Sequence, residues 1–406
     1  APLPIDEVLD DVRAALRTNG TAVLVAAPGA GKTTRVPLAL LEEPWRGNQK
    51  IIVLEPRRLA ARAAAERMAA TLGSTLGRDI GLRARLASQT GPGVAVEVVT
   101  EGVFTRMILD DPELKGVAAI LFDEFHERSL DADLGLAFAL DSRAGLRPDL
   151  KILVMSATLN ASVVSKILGD APVIESEGRT FPIETRYVGR TGRLDDDMTT
   201  AIRRAVANDT GSILAFLPGQ GEIARVADRI AELSLPANVE VVPLFGGLDA
   251  AAQDRAISPA ANGRRKIVLA TSIAETSITI EGVRVVIDSG VARVPRFEPD
   301  IGITRLETVR VSKASADQRR GRAGRTEPGV CYRLWDEPET QGLLPFAEPE
   351  IRSADLSGLL LDCADWGTHD PRSLSWLDPP ADGALAAART ELETIGALST
   401  QGRLTD

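Results

Sequence analysis

The first half of the chain alternates short apolar runs with longer segments of helical periodicity. Such short runs are typical of strands that are buried on both faces of a parallel sheet. We predict strands over residues 21–27, 50–54, 95–99, 117–122 and 151–155, and helices over residues 32–41, 59–72 and 102–110. This regular alternation of strands and helices predicts a doubly wound α/β fold.

The same pattern starts again in the second half. Residues 170–200 are rich in proline, glycine and aspartate, which is typical of a linker. From about residue 336 the pattern changes to short, acidic, proline-punctuated helical segments. We therefore predict α/β domains over 1–175 and 176–335 and a mostly helical module over 336–406. In the second domain we predict strands over 212–217, 239–243, 266–270 and 283–288, a helix over 222–233, and a β-hairpin with strands over 291–297 and 303–311.

The net charge of −10 comes from the C-terminal end of the chain. Residues 336–406 hold 14 acidic and 4 basic side chains, so the other 43 acidic and 43 basic side chains balance. Of the 47 basic residues 40 are arginine, whose guanidinium can bind phosphate through two parallel hydrogen bonds. Composition therefore leaves nucleic acid open as a partner.

Other residue types exclude several classes of protein. Two cysteines and two histidines exclude a disulfide framework, a four-cysteine zinc site and a histidine-rich metal site. No apolar run approaches the ~20 residues that a membrane helix needs. We expect a cytoplasmic protein that does not enter a membrane.

The most specific motif follows the first predicted strand and opens the first predicted helix. Residues 26–33 read A-A-P-G-A-G-K-T, a phosphate-binding P-loop in which Ala26 replaces the usual first glycine. Backbone N–H groups cradle the phosphates in such a loop, Lys32 neutralises the β and γ oxygens, and the Thr33 hydroxyl binds Mg²⁺. We expect nucleotide contacts from Gly29, Ala30, Gly31, Lys32, Thr33 and Thr34.

Two adjacent carboxylates end the strand predicted over 117–122, where the sequence continues Asp123-Glu124-Phe125-His126. Asp123 is placed to hold Mg²⁺ together with Thr33 and Glu124. Glu124 is placed to orient and deprotonate an attacking water beside the metal. We expect His126 to couple this site to the second domain.

Phosphoryl transfer also requires positive charge at the transition state, which an arginine finger can supply. Residues 318–325 read Q-R-R-G-R-A-G-R. Arg322 and Arg325 are three residues apart and lie between small residues, so we predict that they share one closely packed helix face. We predict that these two arginines act as the fingers.

These three elements, in this order, resemble the DEAH-box branch of superfamily 2 helicases. Other motifs of that family are P-R-R-L-A-A at 56–61, T-E-G at 100–102, S-A-T at 156–158, F-L-P-G at 216–219 and T-S-I-A-E-T-S-I-T at 271–279. The resemblance implies two tandem RecA-like domains that enclose ATP and Mg²⁺, followed by a winged-helix-like module, with single-stranded RNA crossing both RecA-like domains. It also implies that the hairpin helps to separate strands.

The resemblance further implies a role for individual residues. Gln318 would position the hydrolytic water, and Arg322 and Arg325 would reach the γ-phosphate. Ser156 and Thr158 would relay hydrolysis to domain motion. Further nucleotide contacts are implied for Arg67, Thr276 and Glu281, and RNA contacts for Arg57, Arg58, Thr100, Gly102, Gly219 and Thr271.

The preferred interpretation is an NTP hydrolase, an ATP-dependent RNA helicase. It would move 3′ to 5′ along single-stranded RNA and unwind duplexes with a 3′ tail or remodel RNA–protein complexes. Two alternatives stay open: a DNA helicase or translocase of the same superfamily, and an RNA-binding scaffold gated by ATP. The presence of Glu124, Gln318, Arg322 and Arg325 argues against the scaffold.

The chain also departs from the family pattern in its length. Family chains continue past the winged helix, so we expect this chain to be a fragment whose residues 384–404 form the last helix and first hairpin of that module. We expect a monomer.

Loose discrimination between bases is a first prediction. Family members often hold adenine between an arginine, here Arg67, and an aromatic residue, whose aligned position is Ile257. An isoleucine cannot stack on a base as an aromatic ring does. We therefore expect ATP, GTP, CTP and UTP to be hydrolysed at comparable rates in a steady-state phosphate-release assay. Rates for the other three nucleotides far below the rate for ATP would contradict this prediction.

Overall fold

The structure is a computed structural model that describes residues 2–158, 160–178, 180–276 and 278–405. The chain folds into two compact units. The first unit comprises Ala1–Gly178, Pro295–Arg305 and Glu348–Asp406, and the second comprises Arg179–Val294 and Leu306–Ala347. Residues 336–406 are thus divided between the two units, and the division into three domains stays a prediction.

The first unit is built on an eight-stranded sheet. Its strands are β1 Thr21–Ala26, β2 Lys50–Glu55, β3 Ile80–Ala84, β4 Ala87–Gln89, β5 Val96–Thr100, β6 Val117–Phe122, β7 Lys151–Ser156 and β8 Val173–Ser176. They lie in the order β4-β3-β5-β2-β6-β7-β1-β8, and only the β3–β4 pair is antiparallel among the described pairs. The helices of this part of the chain are α1 Leu9–Asn19, α2 Lys32–Ala39, α3 Arg58–Thr71, α4 Glu101–Asp110, α5 Leu130–Gly145 and α6 Ala161–Ile167.

Both faces of this sheet are buried. Alternate residues of a strand point to opposite faces, so Ile52 and Ile152 join one hydrophobic cluster while Ile51 and Leu153 join the other. This double burial explains why the strands are continuous apolar runs. All five strands predicted for the first domain are present, with ends within one residue of the prediction.

The second unit contains a six-stranded parallel sheet. Its strands lie in the spatial order β11-β12-β10-β13-β16-β9. A separate two-stranded hairpin of β14 and β15 belongs partly to this unit and, over Pro295–Arg305, partly to the first unit. The elements are β9 Ile183–Tyr187, β10 Ser212–Phe216, β11 Val239–Leu244, β12 Arg265–Ala270, β13 Val283–Asp288, β14 Val291–Glu298, β15 Ile303–Arg310 and β16 Gly329–Arg333, with helices α7 Leu194–Asn208, α8 Gln220–Ala231, α9 Ala250–Ile257 and α10 Lys313–Gly321. The predicted hairpin is therefore confirmed.

The linker predicted over residues 170–200 contains the boundary between the two units, after Gly178, but the prediction of an unstructured segment is wrong. This segment contains β8, an edge strand of the first sheet, then β9, an edge strand of the second sheet, and the start of α7. Edge strands tolerate proline and glycine nearby because part of their backbone needs no partner strand. The composition of the segment therefore concealed two short strands.

The end of the chain completes the core on one face of the first sheet. Helices α11 Ser357–Asp365 and α12 Asp382–Thr394 contribute buried side chains to the cluster that also contains Phe138. The Trp366 ring stacks on the Phe138 ring, with centroids 4.6 Å apart and an interplanar angle of 19°. The part of the acidic C-terminal segment that belongs to the first unit therefore contributes to the hydrophobic core of that unit.

Within the described ranges, no helix has both the length and the apolar character that a membrane crossing requires.

Because α11 and the first sheet contribute to the same hydrophobic core, a mutation in α11 should destabilise the first unit. Leu360 is 2% exposed within that core, so Leu360→Ala should lower the free energy of unfolding by about 2–5 kcal/mol. Ile395, which is 69% exposed in the same segment, provides the control, because Ile395→Ala should change it by less than about 0.5 kcal/mol. Urea unfolding measures both. Equal, small effects would contradict the shared core.

Candidate nucleotide site and nucleic-acid contacts

The sheet of the first unit brings the sequence motifs to one edge. In the β1–β7 pair Val25 lies beside Ser156, and in the β2–β5 pair Glu55 lies beside Thr100. The Asp123 N–H, just past β6, donates to the Leu54 carbonyl at 3.0 Å. Parallel strands thus place the residues that follow β1, β2, β5, β6 and β7 at the same edge, where open α/β sheets bind their ligands.

The P-loop connects β1 to α2. Gly29 and Gly31 have φ angles of +84° and +95°, which favour glycine. A Cβ atom on Gly31 would lie 2.5 Å from the end of the Leu3 side chain, so a larger residue there would require Leu3 to move. Helix α2 begins at Lys32, and Thr34 N–H donates to the Gly31 carbonyl at 3.3 Å. The P-loop therefore leads directly into the N-terminus of α2, where backbone N–H groups can bind an anion.

Lys32 and the carboxylates after β6 form a buried charge cluster. Lys32 is 3% exposed, and its Nζ lies 3.2 Å from Glu124 Oε1. The Thr33 hydroxyl donates to Asp123 Oδ2 at 2.5 Å. Burial opposes the charge of Lys32, but the attraction of Glu124 and Asp123 outweighs it and raises the pKa of Lys32. The structure therefore brings together Lys32, Thr33, Asp123 and Glu124, four of the residues that the sequence predicts to hold nucleotide or metal.

Glu55, at the end of β2, is a further member of this cluster that the sequence analysis missed. It is 1% exposed. Its burial and the adjacent Asp123 carboxylate raise the pKa of Glu55 well above its usual range, because burial and a neighbouring negative charge both oppose the ionisation of a carboxyl group. The same signal that identified Asp123, an acid directly after a buried apolar run, would have identified Glu55.

The oxygen atoms at this site fit Mg²⁺. The Thr33 hydroxyl and the Asp123 carboxylate are hard oxygen ligands of the type that Mg²⁺ prefers, and Mg²⁺ usually keeps several waters and binds one or two carboxylates plus phosphate oxygens. Burial raises the pKa of Asp123, although Lys32 opposes this shift. Among the described residues, no group of three or more histidine, cysteine, aspartate or glutamate side chains is arranged to hold a metal ion by itself.

His126 connects Glu124 to the S-A-T motif. Its Nδ1 accepts a hydrogen bond from Ala157 N–H at 3.1 Å, and its Nε2 lies 3.2 Å from Glu124 Oε2. Ser156 is fully buried and Thr158 is half-buried in the same motif. The predicted coupling residues thus adjoin the predicted base within the first unit.

The arginine string of the second unit differs from its prediction. Helix α10 ends at Gly321, so Arg322 and Arg325 lie beyond the helix and do not share a helix face. The chain leaves the helix where Gly324 packs closely: a Cβ atom there would lie 2.7 Å from the Phe181 carbonyl oxygen.

The guanidinium groups of both predicted fingers bind the backbone or side chains of residues 275–279. Arg322 donates to the carbonyls of Glu275 at 2.8 Å and Ile278 at 2.7 Å, and also to that of Thr276. Arg325 donates to the Thr279 hydroxyl at 2.8 Å. Both arginines therefore fix the segment that contains the predicted nucleotide contact Thr276. Ser277 of the T-S-I-A-E-T-S-I-T motif lies outside the described residues.

Arg319 is a structural residue that the sequence analysis did not single out. It is completely buried, and its guanidinium binds Asp288 at 2.8 Å and Glu275 at 3.0 Å and lies 4.9 Å from the Phe216 ring centroid. Gln318, the predicted water-positioning residue, is 6% exposed on the same helix. Two other predicted nucleotide contacts, Arg67 and Glu281, are exposed.

The predicted RNA contacts share one structural position. Each lies where a helix or 3₁₀ turn begins after a parallel strand. Among the described residues, the N-cap side chains of these four elements accept no hydrogen bond from the backbone of the element that they precede. Helix N-termini of this kind attract phosphate. The positions are Arg57 and Arg58 at α3, Thr100 and Gly102 at α4, Gly219 at α8, and Thr271 at the 3₁₀ turn Ser272–Ala274.

A P-loop lysine paired with a glutamate at the end of another parallel strand of the same sheet defines a P-loop nucleotide-binding protein. The DEAD/DEAH box helicase family matches residues 10–167, and the helicase conserved C-terminal domain matches residues 197–327. The chain belongs to the DEAD/DEAH box helicases.

Individual relatives agree with this assignment. The ATP-dependent RNA helicase HrpB of Escherichia coli strain K12 is 49% identical over 398 residues, which are 98% of this chain and 49% of that protein. The probable ATP-dependent RNA helicase DHR2 of Saccharomyces cerevisiae is 35% identical over 416 residues, 99% of this chain and 56% of that protein. The crystal structure of the E. coli DEAH/RHA helicase HrpB matches with a TM-score of 0.94 and 49% identity over 99% of this chain and 51% of that one. The chain spans about half the length of these relatives.

Glu101, in the T-E-G motif, is an unusual acid in this region. Its side chain is 6% exposed and accepts a hydrogen bond from the Ser129 hydroxyl. Burial raises the pKa of Glu101 to about 8, although the bond from Ser129 opposes this shift. Glu101 therefore retains its proton in the folded protein at pH values where an exposed glutamate is charged.

The raised pKa of Glu101 predicts that the free energy of unfolding depends on pH. Between the ordinary pKa of 4.5 and about 8 the folded state binds a proton that the unfolded state has released. The contribution of Glu101 to the free energy of unfolding should therefore fall as pH rises, by about 1.4 kcal/mol per pH unit. Glu101→Gln removes this contribution, so the variant should gain stability relative to the wild type from about pH 5 to about pH 8.

Urea unfolding over this pH range measures the difference between the two proteins. Glu66→Gln, an exposed substitution on α3, serves as the control and should follow the wild-type profile. Parallel profiles for Glu101→Gln and the wild type would show that Glu101 is charged in the folded state and would contradict the prediction.

Proposed function

We propose that the protein is an RNA-stimulated NTP hydrolase that uses hydrolysis to translocate 3′ to 5′ along single-stranded RNA and to unwind duplexes or remodel RNA–protein complexes. The observation that carries the proposal is the buried Lys32–Glu124 pair beside the Thr33–Asp123 hydrogen bond, at the start of α2. The names of the related helicases, which specify ATP and RNA, support it.

Residues of the first unit supply most of the proposed chemistry. The α2 N-terminus and Lys32 hold the β and γ phosphates. Mg²⁺, when bound by Thr33 and Asp123, supplies charge compensation for the same oxygens. Glu124 orients a water and takes its proton. Lys32 occupies one Glu124 oxygen at 3.2 Å, and incoming phosphate oxygens compete for that ammonium, which leaves Glu124 available to the water.

The roles of Gln318, Arg322 and Arg325 in hydrolysis are predictions from the family resemblance. The bonds of Arg322 and Arg325 to residues 275–279 support a link between these arginines and the Thr276 segment.

The contacts proposed for RNA suit a grip that is independent of sequence. Backbone amides at helix starts, small hydroxyl groups and arginine bind phosphate and sugar rather than base edges. We propose RNA rather than DNA as the substrate because the related proteins are named RNA helicases. A cytoplasmic location is consistent with the two free, buried cysteines, Cys331 and Cys363, because disulfides are rare in the reducing cytosol.

The fourth prediction tests the proposed function through Glu124. Glu124→Gln preserves the size of the side chain but removes the base. RNA-stimulated hydrolysis should fall by about 10²–10⁴-fold, while binding of a fluorescent, non-hydrolysable ATP analogue persists. Phosphate release with matched single-stranded RNA and DNA measures the first effect and also compares the two nucleic acids.

Glu113→Gln is the matched control, because Glu113 forms an exposed ion pair with Lys115 at 3.5 Å. Its hydrolysis rate should equal that of the wild type. Unchanged hydrolysis in Glu124→Gln would overturn the assignment of the base. A wild-type rate that DNA stimulates and RNA does not would favour a DNA translocase, and a wild type without turnover would favour the scaffold.

A further inference from the structure

The turn after β6 is conformationally strained. Glu124 and Arg128 have φ angles of +51° and +49°, and they flank the 3₁₀ turn Phe125–Glu127. Residues other than glycine adopt this conformation only where surrounding contacts impose it. We refer to residues 123–128 as the DEFHER turn. Any change in the contacts that hold this turn can therefore alter the position of Glu124.

One end of the DEFHER turn is fixed by buried ion pairs. Arg128 Nη2 lies 2.9 Å from Asp133 Oδ2 and 2.9 Å from Asp378 Oδ2. The Arg128 side chain is 12% exposed and that of Asp133 is 2% exposed. The Arg128 carbonyl also accepts from Glu350 N–H at 3.2 Å. These contacts make the Arg128 end of the turn the more rigid one.

A second contact joins the DEFHER turn to Arg57, which is a predicted RNA-binding residue. Glu127 Oε2 lies 3.4 Å from Arg57 Nη2, and the two side chains are 17% and 32% exposed. Arg57 is the N-cap residue of α3. Glu127 N–H donates to the Glu124 carbonyl at 3.0 Å. A single hydrogen-bonded turn thus joins the carboxylate that binds Arg57 to the proposed catalytic base.

A phosphate group would compete with Glu127 for Arg57. Carboxylate and phosphate both bind the guanidinium fork in the same way, and a phosphate next to Glu127 would also repel its negative charge. Because both side chains are partly exposed to solvent, their ion pair is weak enough to be displaced. Displacement would remove one of the contacts that hold the strained turn at Glu124.

We propose that Glu127 is a positioning residue that binds Arg57 in the absence of RNA and is displaced from it by an RNA phosphate, so that RNA binding is transmitted through the DEFHER turn to Glu124. The proposal rests on the proposed function, because it takes Arg57 as an RNA contact. It adds a route by which RNA stimulates hydrolysis within the first unit.

Glu127→Gln tests the proposal, because glutamine preserves the size of the side chain but cannot form the ion pair. Without nucleotide, the variant should bind single-stranded RNA up to about fivefold more tightly, the factor that corresponds to an exposed ion pair. Hydrolysis without RNA should rise, and hydrolysis at saturating RNA should stay at the wild-type rate. The ratio of the two rates should therefore fall.

A control and a double variant separate this route from a general effect of charge. Glu66→Gln removes a carboxylate that pairs with Arg62 at 4.0 Å on α3, and it should leave both rates and RNA affinity unchanged. In a protein that carries Arg57→Ala, adding Glu127→Gln should not change RNA affinity further. Fluorescence anisotropy measures RNA binding, and phosphate release measures hydrolysis.

Several outcomes would overturn the proposal. A variant Glu127→Gln that unfolds more easily and loses basal and stimulated hydrolysis in equal proportion would identify a purely structural brace. An increase in RNA affinity that persists in the Arg57→Ala background would show that Glu127 does not act through Arg57. If RNA stimulates the wild type but Glu127→Gln keeps the same stimulation, only this inference fails, whereas a wild type that RNA does not stimulate refutes the proposed function itself.

Discussion

The first unit depends on the burial of one positive charge. A lysine ammonium that is removed from water requires carboxylates at fixed positions, since an unpaired buried charge costs several kcal/mol. Lys32 has these partners in Glu124 and Asp123. The pairing fixes the P-loop relative to the end of β6, and β7 and β1 must keep their registers for it to form. Burial and the adjacent Asp123 raise the pKa of Glu55, which opposes a further negative charge in this cluster.

The second unit contains a comparable constraint of its own. Arg319 is completely buried, and Asp288 and Glu275 balance its charge. The neighbouring Arg320 donates to the Thr185 hydroxyl at 2.7 Å and to the Ile183 carbonyl at 2.9 Å, and so attaches α10 to β9. Two arginines of the 318–325 string therefore maintain the fold. A string of arginines in a sequence does not distinguish these structural residues from those predicted to reach a nucleotide.

Much of the fold and of the site followed from sequence because the relevant signals are local. Apolar runs marked the central strands, and Lys32, Thr33, Asp123 and Glu124 were identified from short motifs at strand ends. The errors have physical causes. Short edge strands escaped detection in the supposed linker. Helix α10 ends at Gly321, and the chain that follows packs Gly324 closely against Phe181, a contact between residues far apart in the chain.

The sequence by itself determined the class of fold, the nucleotide-binding motif and the family, since each depends on residue types at short spacings. Only the tertiary structure decided which side chains meet across those motifs. It placed Glu55 against Asp123, Glu127 against Arg57, and the acidic C-terminal segment in the core of the first unit. Burial and charge pairing between distant residues depend on how strands align and helices pack, and no local pattern records that alignment.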